Sequence, residues 1–358
     1  MKPDISGKYS IQQIGRTTCM VAWLAAGVYG CITTLWAGLK LIAPSWSPVE
    51  MLSSFSPLLL LPSLLILPLS LWRRRWSVML LSVPAVAAFL LGYGESFLPR
   101  SITINPVAQP LRFLTYNLHA ESVSIQPMLD VIRAAGADVV ALQEVSPAMA
   151  EVLTAQLADE YPYQALHPNF DNPIFGQGVL SRYPIVEDEY WRISLGHQRV
   201  KIDRNGSPLV LYNTHPVHPF LLGQGRLFDM RPHQLEVQEV LRRSTLDGGE
   251  ILIAGDFNMS DQASDYARLT AQFGDTYREI GWGLGWTFPD FTQPNAQPVR
   301  TSILSAFGRP VARIDFIFHN DALRPVSARV WPTSGGSDHR PVIAEFMDAP
   351  TQSASARP

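Results

Sequence analysis

Side chains that can bind a metal ion or a phosphate group stand at the ends of short apolar runs in the later part of this 358-residue chain. They are Asn117, His119, Gln143, Glu144, Asn213, His215, Asp256, Asn258, Asp315, Asp338 and His339. One such residue alone is usually a turn or capping residue. A repeated occurrence in one domain indicates a shared site, because catalytic groups are commonly mounted on loops next to strands.

Carboxylates, amides and imidazoles in this combination suit the hydrolysis of a phosphate ester. Attack at phosphorus adds negative charge to the phosphoryl oxygens, so a cation and hydrogen-bond donors must offset that charge while a carboxylate activates water. Oxygen ligands without cysteine favour Mg²⁺, Mn²⁺ or Ca²⁺ over zinc. Both cysteines, Cys19 and Cys31, lie in the first apolar stretch, which excludes cysteine chemistry from the later part of the chain.

The charge of the later part argues against one class of substrate. From Ser101 onward the chain has 20 Lys and Arg residues against 28 Asp and Glu residues, a net charge of −8. Nonspecific binding of a long nucleic acid normally requires a basic surface that releases counterions. An acidic domain is therefore a poor match for a nuclease of that kind, although a local basic groove near Arg182, Arg199 and Arg226 would support one.

Short apolar runs predict strands, and amphipathic segments predict helices between them. The predicted strands are 111–116, 139–142, 179–181, 209–212, 251–254, 314–318 and 342–346. Two helices are predicted at about 125–132 and 232–243. Strands mixed with helices predict an α/β fold in which two sheets pack face to face with helices outside.

The first 93 residues predict an all-α transmembrane module of about three helices. The apolar runs at 18–39, 51–71 and 76–93 each come near the roughly 20 residues that cross a bilayer. Pro57, Pro62 and Pro68 interrupt the second run, so a re-entrant hairpin is the alternative there. A linker at 94–110 and a disordered tail at 349–358 are predicted on either side of a catalytic domain at 111–348.

Basic residues predict the orientation in the membrane. Lys2, Lys8 and Arg16 precede the first run, and residues 73–75 are arginines between the second and third runs. The positive-inside rule places both groups in the cytoplasm. The expected protein is therefore a multi-pass inner-membrane protein with a cytoplasmic N-terminus and an extracytoplasmic, periplasmic catalytic domain.

The polar residues, in their order along the chain, resemble the endonuclease/exonuclease/phosphatase superfamily, whose fold is that of deoxyribonuclease I. The resemblance covers 111–346 and depends most on Gly-Asp-Phe-Asn at 255–258 and Ser-Asp-His at 337–339. The chain is similar to the membrane-anchored branch of that superfamily. It implies a four-layer αββα sandwich and divalent-metal hydrolysis at phosphorus.

The resemblance also implies a metal site. Glu144 would be the central ligand, with Asn117 and Asp338 beside it, and the expected ion is Mg²⁺ or Mn²⁺. Asn117 would also bind substrate. His119 departs from several relatives, which have a carboxylate near that position.

Five further residues receive catalytic roles from the same resemblance. Asp256 would orient or deprotonate the attacking water, and Asn258 would hydrogen-bond the phosphoryl oxygens. His215 would donate to a non-bridging oxygen of the substrate. His339 would act on the phosphate, in an orientation held by Asp315.

Membrane anchoring favours a substrate confined to the interface, because a tethered domain samples that interface at high effective concentration. The expected partners are membrane lipids and a lipid-linked phosphate or phosphodiester, and the sequence indicates no protein partner. An apolar loop at 219–228 and the aromatic residues Trp282, Trp286 and Phe288 could contact such a substrate or be structural. One alternative is an extracytoplasmic nuclease acting on DNA or RNA, and another is a non-catalytic receptor or scaffold on the same fold.

Overall fold

A computed structural model describes residues 11–98, 100, 110–122, 124–220, 228–292 and 308–348. The chain divides into two compact units, Met1–Glu95 and Ser96–Pro358. The predicted tail at 349–358 and most of the predicted linker at 94–110 lie outside the described residues. At the beginning of the predicted linker, a 3₁₀ helix runs from Gly94 to Phe97.

Two helices of the first unit, α1 (Ile11–Ile42) and α5 (Trp76–Tyr93), are long and apolar enough to cross a membrane. The second predicted run, at 51–71, does not form one continuous helix. That run forms α2 (Ser47–Ser53), α3 (Ser56–Leu60) and α4 (Ser63–Trp72), with a bend of 79° after α2. Pro57 stands in the first turn of α3 and Pro62 directly precedes α4, because proline suits a helix start better than a helix interior.

The second unit contains two mixed sheets, each with six strands in the described part of the chain. The first sheet has, in spatial order, β11 (Leu323–Val330), β12 (Val342–Asp348), β1 (Leu111–Asn117), β2 (Val139–Gln143), β4 (Gln177–Ser181) and β3 (Tyr163–His167). The second has β5 (Ile185–Arg192), β6 (Gly196–Arg204), β7 (Ser207–Thr214), β8 (Glu250–Asp256), β10 (Asp315–His319) and β9 (Gly274–Asp275). Only β1–β2 and β7–β8 are parallel among these neighbours.

Apolar side chains from the two sheets form one core between them, with members such as Phe113, Val139, Leu211 and Leu252. A second core lies between the first sheet and two helices, α6 (Gln126–Ala135) and α7 (Pro147–Leu157). The remaining helices are α8 (Arg231–Ser244), α9 (Ser264–Thr270) and α10 (Thr276–Ile280). The predicted α/β arrangement of two packed sheets with helices is therefore confirmed.

The sequence predicted the buried strands and missed five that have exposed or polar faces or are very short: β3, β5, β6, β9 and β11. Strand β5 illustrates the reason, since four of its eight residues in the sequence Ile-Val-Glu-Asp-Glu-Tyr-Trp-Arg are acidic or basic. It lies at the edge of its sheet, where one face meets water. A search for continuous apolar runs does not detect such a strand.

Candidate active site

Parallel pairing of β1 with β2 brings the first two polar strand ends together. Asn117 pairs with Gln143, so Glu144 begins the loop directly beside Asn117. The Asn117 side chain is fully buried, and its Nδ2 donates to Oε1 of Glu144 and to Oδ2 of Asp256, each at 3.0 Å. Because Asp256 belongs to the other sheet, Asn117 connects the two sheets at the candidate site.

The second sheet supplies the next group in the same way. Thr214 pairs with Gly255 in the parallel β7–β8 ladder, so His215 and Asp256 lie side by side. Nε2 of His215 is 3.5 Å from Oδ2 of Asp256 and 3.9 Å from Oε1 of Glu144. These three residues can surround one ion or one oxygen of a substrate.

Asp315 is the first residue of β10, whereas Asp256 is the last residue of β8, yet both lie at the same edge of the second sheet. Strand β10 runs antiparallel to β8, and Asp315 pairs directly with Asp256. Nδ1 of His339 lies 3.0 Å from Oδ2 of Asp315, and its Nε2 lies 3.5 Å from Oδ2 of Asp256. Asp256, Asp315 and His339 therefore form a second buried group that shares Asp256 with the first.

The loop before β12 holds His339 through its own hydrogen bonds. Ser337 Oγ donates to the backbone carbonyl of Asn117 at 2.7 Å and accepts from the backbone N–H of His339 at 3.0 Å. The ring of Phe288 packs against the His339 ring with centroids 4.8 Å apart. His339 thus has few alternative orientations.

Backbone conformation explains why this motif begins with glycine. Gly255 has φ +146°, and a Cβ atom there would lie 1.9 Å from the carbonyl oxygen of Thr214. Asn258 adopts φ +50°, which asparagine tolerates better than most residues. Its N–H donates to Oδ1 of Asp256 at 2.8 Å and its Nδ2 donates to the Pro216 carbonyl at 3.0 Å. The role of Asn258 toward a phosphoryl oxygen stays a prediction.

The electrostatics separate the roles of three titratable groups. Burial raises the pKa of Asp256 to about 6, even though the neighbouring His339 opposes that shift. Burial acts against the charged form of His339, but the carboxylates of Asp315 and Asp256 raise its pKa well above the ordinary value. Burial likewise works against ionised Glu144, yet the charge of His215 and hydrogen bonds from Ala120 and Asn117 lower its pKa. A carboxylate poised near neutrality beside a protonated imidazole suits acid–base chemistry.

A divalent cation fits the donor set of this site. Oδ1 of Asp338 is buried and has no hydrogen-bond donor among the described residues, so its lone pairs are available to a cation. Burial raises the pKa of Asp338, and the negative charge of the nearby Glu144 carboxylate adds to that rise. Oδ1 of Asn117 already accepts the His119 N–H at 2.9 Å, and its role as a ligand stays a prediction.

Two buried side chains of α8, which position the loops of the site, were not predicted from the sequence. His233 of α8 lies 2.7 Å from both Oδ2 of Asp265 and the carbonyl oxygen of Phe257, so it anchors the loop that follows Asp256. Glu236 of the same helix accepts backbone N–H groups of Leu195 and Val217 and thereby holds the chain after His215. The available signal was a histidine and a glutamate three residues apart on the apolar face of a predicted helix.

The predicted substrate loops have different surroundings. Phe288 contacts His339, Trp286 is half-buried, and Trp282 is exposed. Trp286 lines a groove of about 430 Å³ together with Thr292, Arg309, Pro310 and Arg340. Most of the loop at 219–228 lies outside the described residues, and its ends meet where Phe220 packs edge-on against Phe228.

Of the three arginines whose basic groove would support the nuclease alternative, the two that can be assessed are each paired with carboxylates. Arg182 pairs with Asp138 at 3.0 Å. Arg199 pairs with Glu187 at 2.7 Å and with Asp247 at 2.5 Å. Arg226 lies outside the described residues.

A two-sheet sandwich that gathers carboxylates and imidazoles at one edge defines a hydrolase with a phosphoesterase-like site. The sequence matches the Endonuclease/Exonuclease/phosphatase family over residues 114–339, and the chain belongs to that family. It is therefore a hydrolase that acts on phosphoric ester bonds, in a family whose enzymes typically use divalent metals. No curated protein matches the sequence.

Solved structures share the fold. An endonuclease/exonuclease/phosphatase from Bacteroides vulgatus has 19% identity and a TM-score of 0.52, over 67% of this chain and 100% of that chain. D. rerio TDP2, humanized by 14 mutations, has 17% identity and a TM-score of 0.53, with the same coverage. D. rerio TDP2 in complex with a single-strand DNA product gives the same identity, coverage and TM-score. At these identities the likeness shows the fold alone.

Proposed function

We propose that this chain is a membrane-anchored, divalent-metal-dependent phosphoesterase that hydrolyses a lipid-linked phosphate or phosphodiester at the outer face of the membrane. One observation carries the catalytic part. Oδ2 of Asp256 accepts a hydrogen bond from Asn117 and lies 3.5 Å from Nε2 of both His215 and His339. A carboxylate surrounded by donors from three separate segments of the chain is arranged to accept a proton beside a phosphoryl group.

The roles follow from the position of each group. Asp256 holds and deprotonates the attacking water, since burial keeps its pKa near neutrality. Protonated His339 donates to one phosphoryl oxygen and His215 donates to another, since Nε2 of each ring lies 3.5 Å from Oδ2 of Asp256. When bound, a divalent cation at Glu144 and Asp338 supplies positive charge that offsets the charge on the phosphate.

Membrane anchoring is supported by the two apolar helices α1 and α5, and by the bent segment between them. The lipid-linked substrate is supported by the net charge of −8 from Ser101 onward and by the pairing of Arg182 and Arg199 with carboxylates. Both features disfavour extended contact with a nucleic acid backbone.

Hydrolysis of a substrate panel tests the proposed reaction. The full chain is purified in detergent, reconstituted in liposomes, and given polyprenyl phosphates, sphingomyelin, inositol phosphates and DNA with Mg²⁺ or Mn²⁺. We expect turnover of a lipid substrate that Asp256→Ala abolishes and that the exposed-site control Asp321→Asn leaves intact. Consumption of DNA alone would overturn the proposed substrate class, and the absence of turnover with every substrate would overturn the catalytic proposal.

Accessibility in intact cells tests the orientation. A cysteine is introduced at the exposed Ser207, in a chain whose Cys19 and Cys31 are replaced by serine. We expect a membrane-impermeant maleimide to label it without lysis, provided that the outer membrane is permeabilised. Labelling only after lysis of the inner membrane would place the catalytic unit in the cytoplasm.

A further inference from the structure

Large apolar side chains are exposed where the second unit begins. The rings of Phe97 and Trp282 pack edge-on with their centroids 5.8 Å apart, and Leu98 follows Phe97 directly. Phe97 is 40% exposed, Leu98 59% and Trp282 70%. These three side chains form an apolar patch. Exposed apolar side chains that stand together mark a surface for a partner or a membrane more often than single ones do.

The loop that carries Trp282 is fixed by its own contacts. The Tyr277 hydroxyl donates to the Trp282 carbonyl at 2.6 Å, and the N–H of Gly281 donates to the Tyr277 carbonyl at 2.8 Å. A Cβ atom at Gly281 would lie 2.7 Å from the Tyr277 carbonyl oxygen, and one at Gly285 would lie 2.5 Å from the Tyr277 ring. Because both glycines permit this close packing, the backbone holds Trp282 in its exposed position.

The same loop is bound to the end of the last candidate membrane span. The span that contains α5 ends at Phe97. Within the second unit, the N–H of Gly283 donates to the Ser96 carbonyl at 2.7 Å, and Nη1 of Arg278 donates to Oγ of Ser96 at 2.9 Å. Backbone and side-chain hydrogen bonds therefore hold the Trp282 loop against the residues that end the span.

We propose that the apolar patch inserts Trp282 and Leu98 into the membrane interface at the end of α5 and thereby fixes the catalytic domain on the lipid surface. Tryptophan is enriched at the headgroup level, because its ring is apolar and its N–H can still meet water. The occupant of the patch is the bilayer, since the span ends at the residue whose ring contacts Trp282. This inference rests on the membrane anchoring proposed above.

Insertion also places the candidate active site near the lipid. Phe288, whose ring packs against that of His339, follows Trp282 by six residues. Six residues span at most about 20 Å when fully extended. The catalytic imidazole is therefore close to the headgroup level, where the phosphate of a lipid-linked substrate lies.

Depth-dependent fluorescence quenching tests the insertion. Trp282→Cys and Leu98→Cys are made one at a time in the full chain whose Cys19 and Cys31 are replaced by serine. Each variant is labelled with bimane and reconstituted in phosphatidylcholine liposomes, with iodide on both sides of the bilayer in the aqueous arm. We expect strong quenching by lipids that carry a nitroxide near the headgroup and weak quenching by iodide. The readout is depth, so it does not depend on turnover of any substrate.

Leu246→Cys is the matched control, because Leu246 is an apolar residue that is 77% exposed. Its neighbour Asp247 pairs with Arg199 of β6, whereas the loop with Trp282 follows β9 and α10. Strands β6 and β9 are four positions apart in the second sheet, a separation of about 19 Å. A label at this position should be quenched by iodide and not by the nitroxide lipids.

The possible results separate the patch from the anchor. Labels at positions 98 and 282 that iodide quenches as strongly as the control label, in liposomes that keep the chain through a carbonate wash, would overturn the insertion. Membrane anchoring would then stand, and the patch would be a surface for a protein partner. Nitroxide quenching of equal strength at all three positions would also overturn the insertion. Release of the chain by the carbonate wash would overturn both proposals.

Discussion

Oδ2 of Asp315 lies 3.0 Å from Nδ1 of His339, and both side chains are buried. This contact occupies one ring nitrogen and leaves Nε2 facing Asp256 at 3.5 Å. Asp315 thereby decides which nitrogen of His339 faces the reacting atoms, and it favours the protonated ring. The contribution to catalysis that we propose for Asp315 is therefore orientation and charge.

Asp315→Asn should lower kcat/KM by about 10²- to 10⁴-fold, within the range for loss of a positioned acid–base group. The amide keeps the shape of the side chain but removes the charge that stabilises protonated His339. Steady-state hydrolysis of a generic phosphodiester measures the effect. Asp321→Asn, at an exposed aspartate just beyond β10, should stay near the unmodified rate. Equal rates for the unmodified protein, Asp315→Asn and Asp321→Asn would contradict a catalytic role for Asp315.

The pH dependence of kcat/KM should be bell-shaped. The acid limb should lie near pH 6, because burial raises the pKa of Asp256 to about 6 and the group must be ionised to accept a proton. The alkaline limb should lie above the ordinary histidine range, where His339 loses its proton. The negative charge of Asp315 raises the pKa of both Asp256 and His339. Asp315→Asn removes that charge, so both limbs should move to lower pH. Limbs that stay in place would contradict the assignment.

His233→Ala should lower the free energy of unfolding by about 3 kcal/mol, because the Phe257 carbonyl and Oδ2 of Asp265 lose their buried hydrogen-bond partner. It should also lower kcat, since Asp256 and Asn258 flank Phe257. Denaturant unfolding followed by tryptophan fluorescence measures the stability. His233→Gln should recover part of both losses, and Gln238→Ala, exposed on the same helix, should change neither.

Gly255→Ala and Gly206→Ala form a matched pair, because both glycines have positive φ. A Cβ at Gly255 would meet the Thr214 carbonyl oxygen at 1.9 Å, whereas nothing lies within 4 Å of one at Gly206. The first change should cost more than about 4 kcal/mol or prevent folding, and the second about 1 kcal/mol. Expression yield and thermal unfolding distinguish them. Similar stabilities would show that the backbone at Gly255 can shift.

Removal of divalent ions should abolish hydrolysis, and added Mg²⁺ or Mn²⁺ should restore it. Glu144→Gln should raise the metal concentration that gives half-maximal activity by roughly 10- to 100-fold, because the charge that holds the ion is lost. Titration of metal into chelator-treated protein measures this. Full activity in excess chelator would contradict a metal-dependent reaction.

The sequence predicted much of the frame of the second unit, because its central strands are continuous apolar runs that are buried on both faces. The same criterion missed β5, whose charged residues face water at the edge of the second sheet, and β6, whose polar and charged residues interrupt the apolar pattern. In the apolar run at 51–71, whose prolines left a re-entrant hairpin as the alternative to a spanning helix, the structure has three short helices. Local composition indicated where strands and helices lie along the chain, but it did not determine which of them pack or pair together.

By itself the sequence determined which chemical groups are present and which family they belong to, since Gly-Asp-Phe-Asn and Ser-Asp-His are local patterns. Only the tertiary structure decided that Asn117 donates to both Glu144 and Asp256, and that His119 faces Asp338. These residues are distant along the chain, so their separations depend on how the two sheets pack and on which strands pair in parallel. Because β10 runs antiparallel to β8, the start of β10 lies beside the end of β8, and no local sequence pattern contains that information.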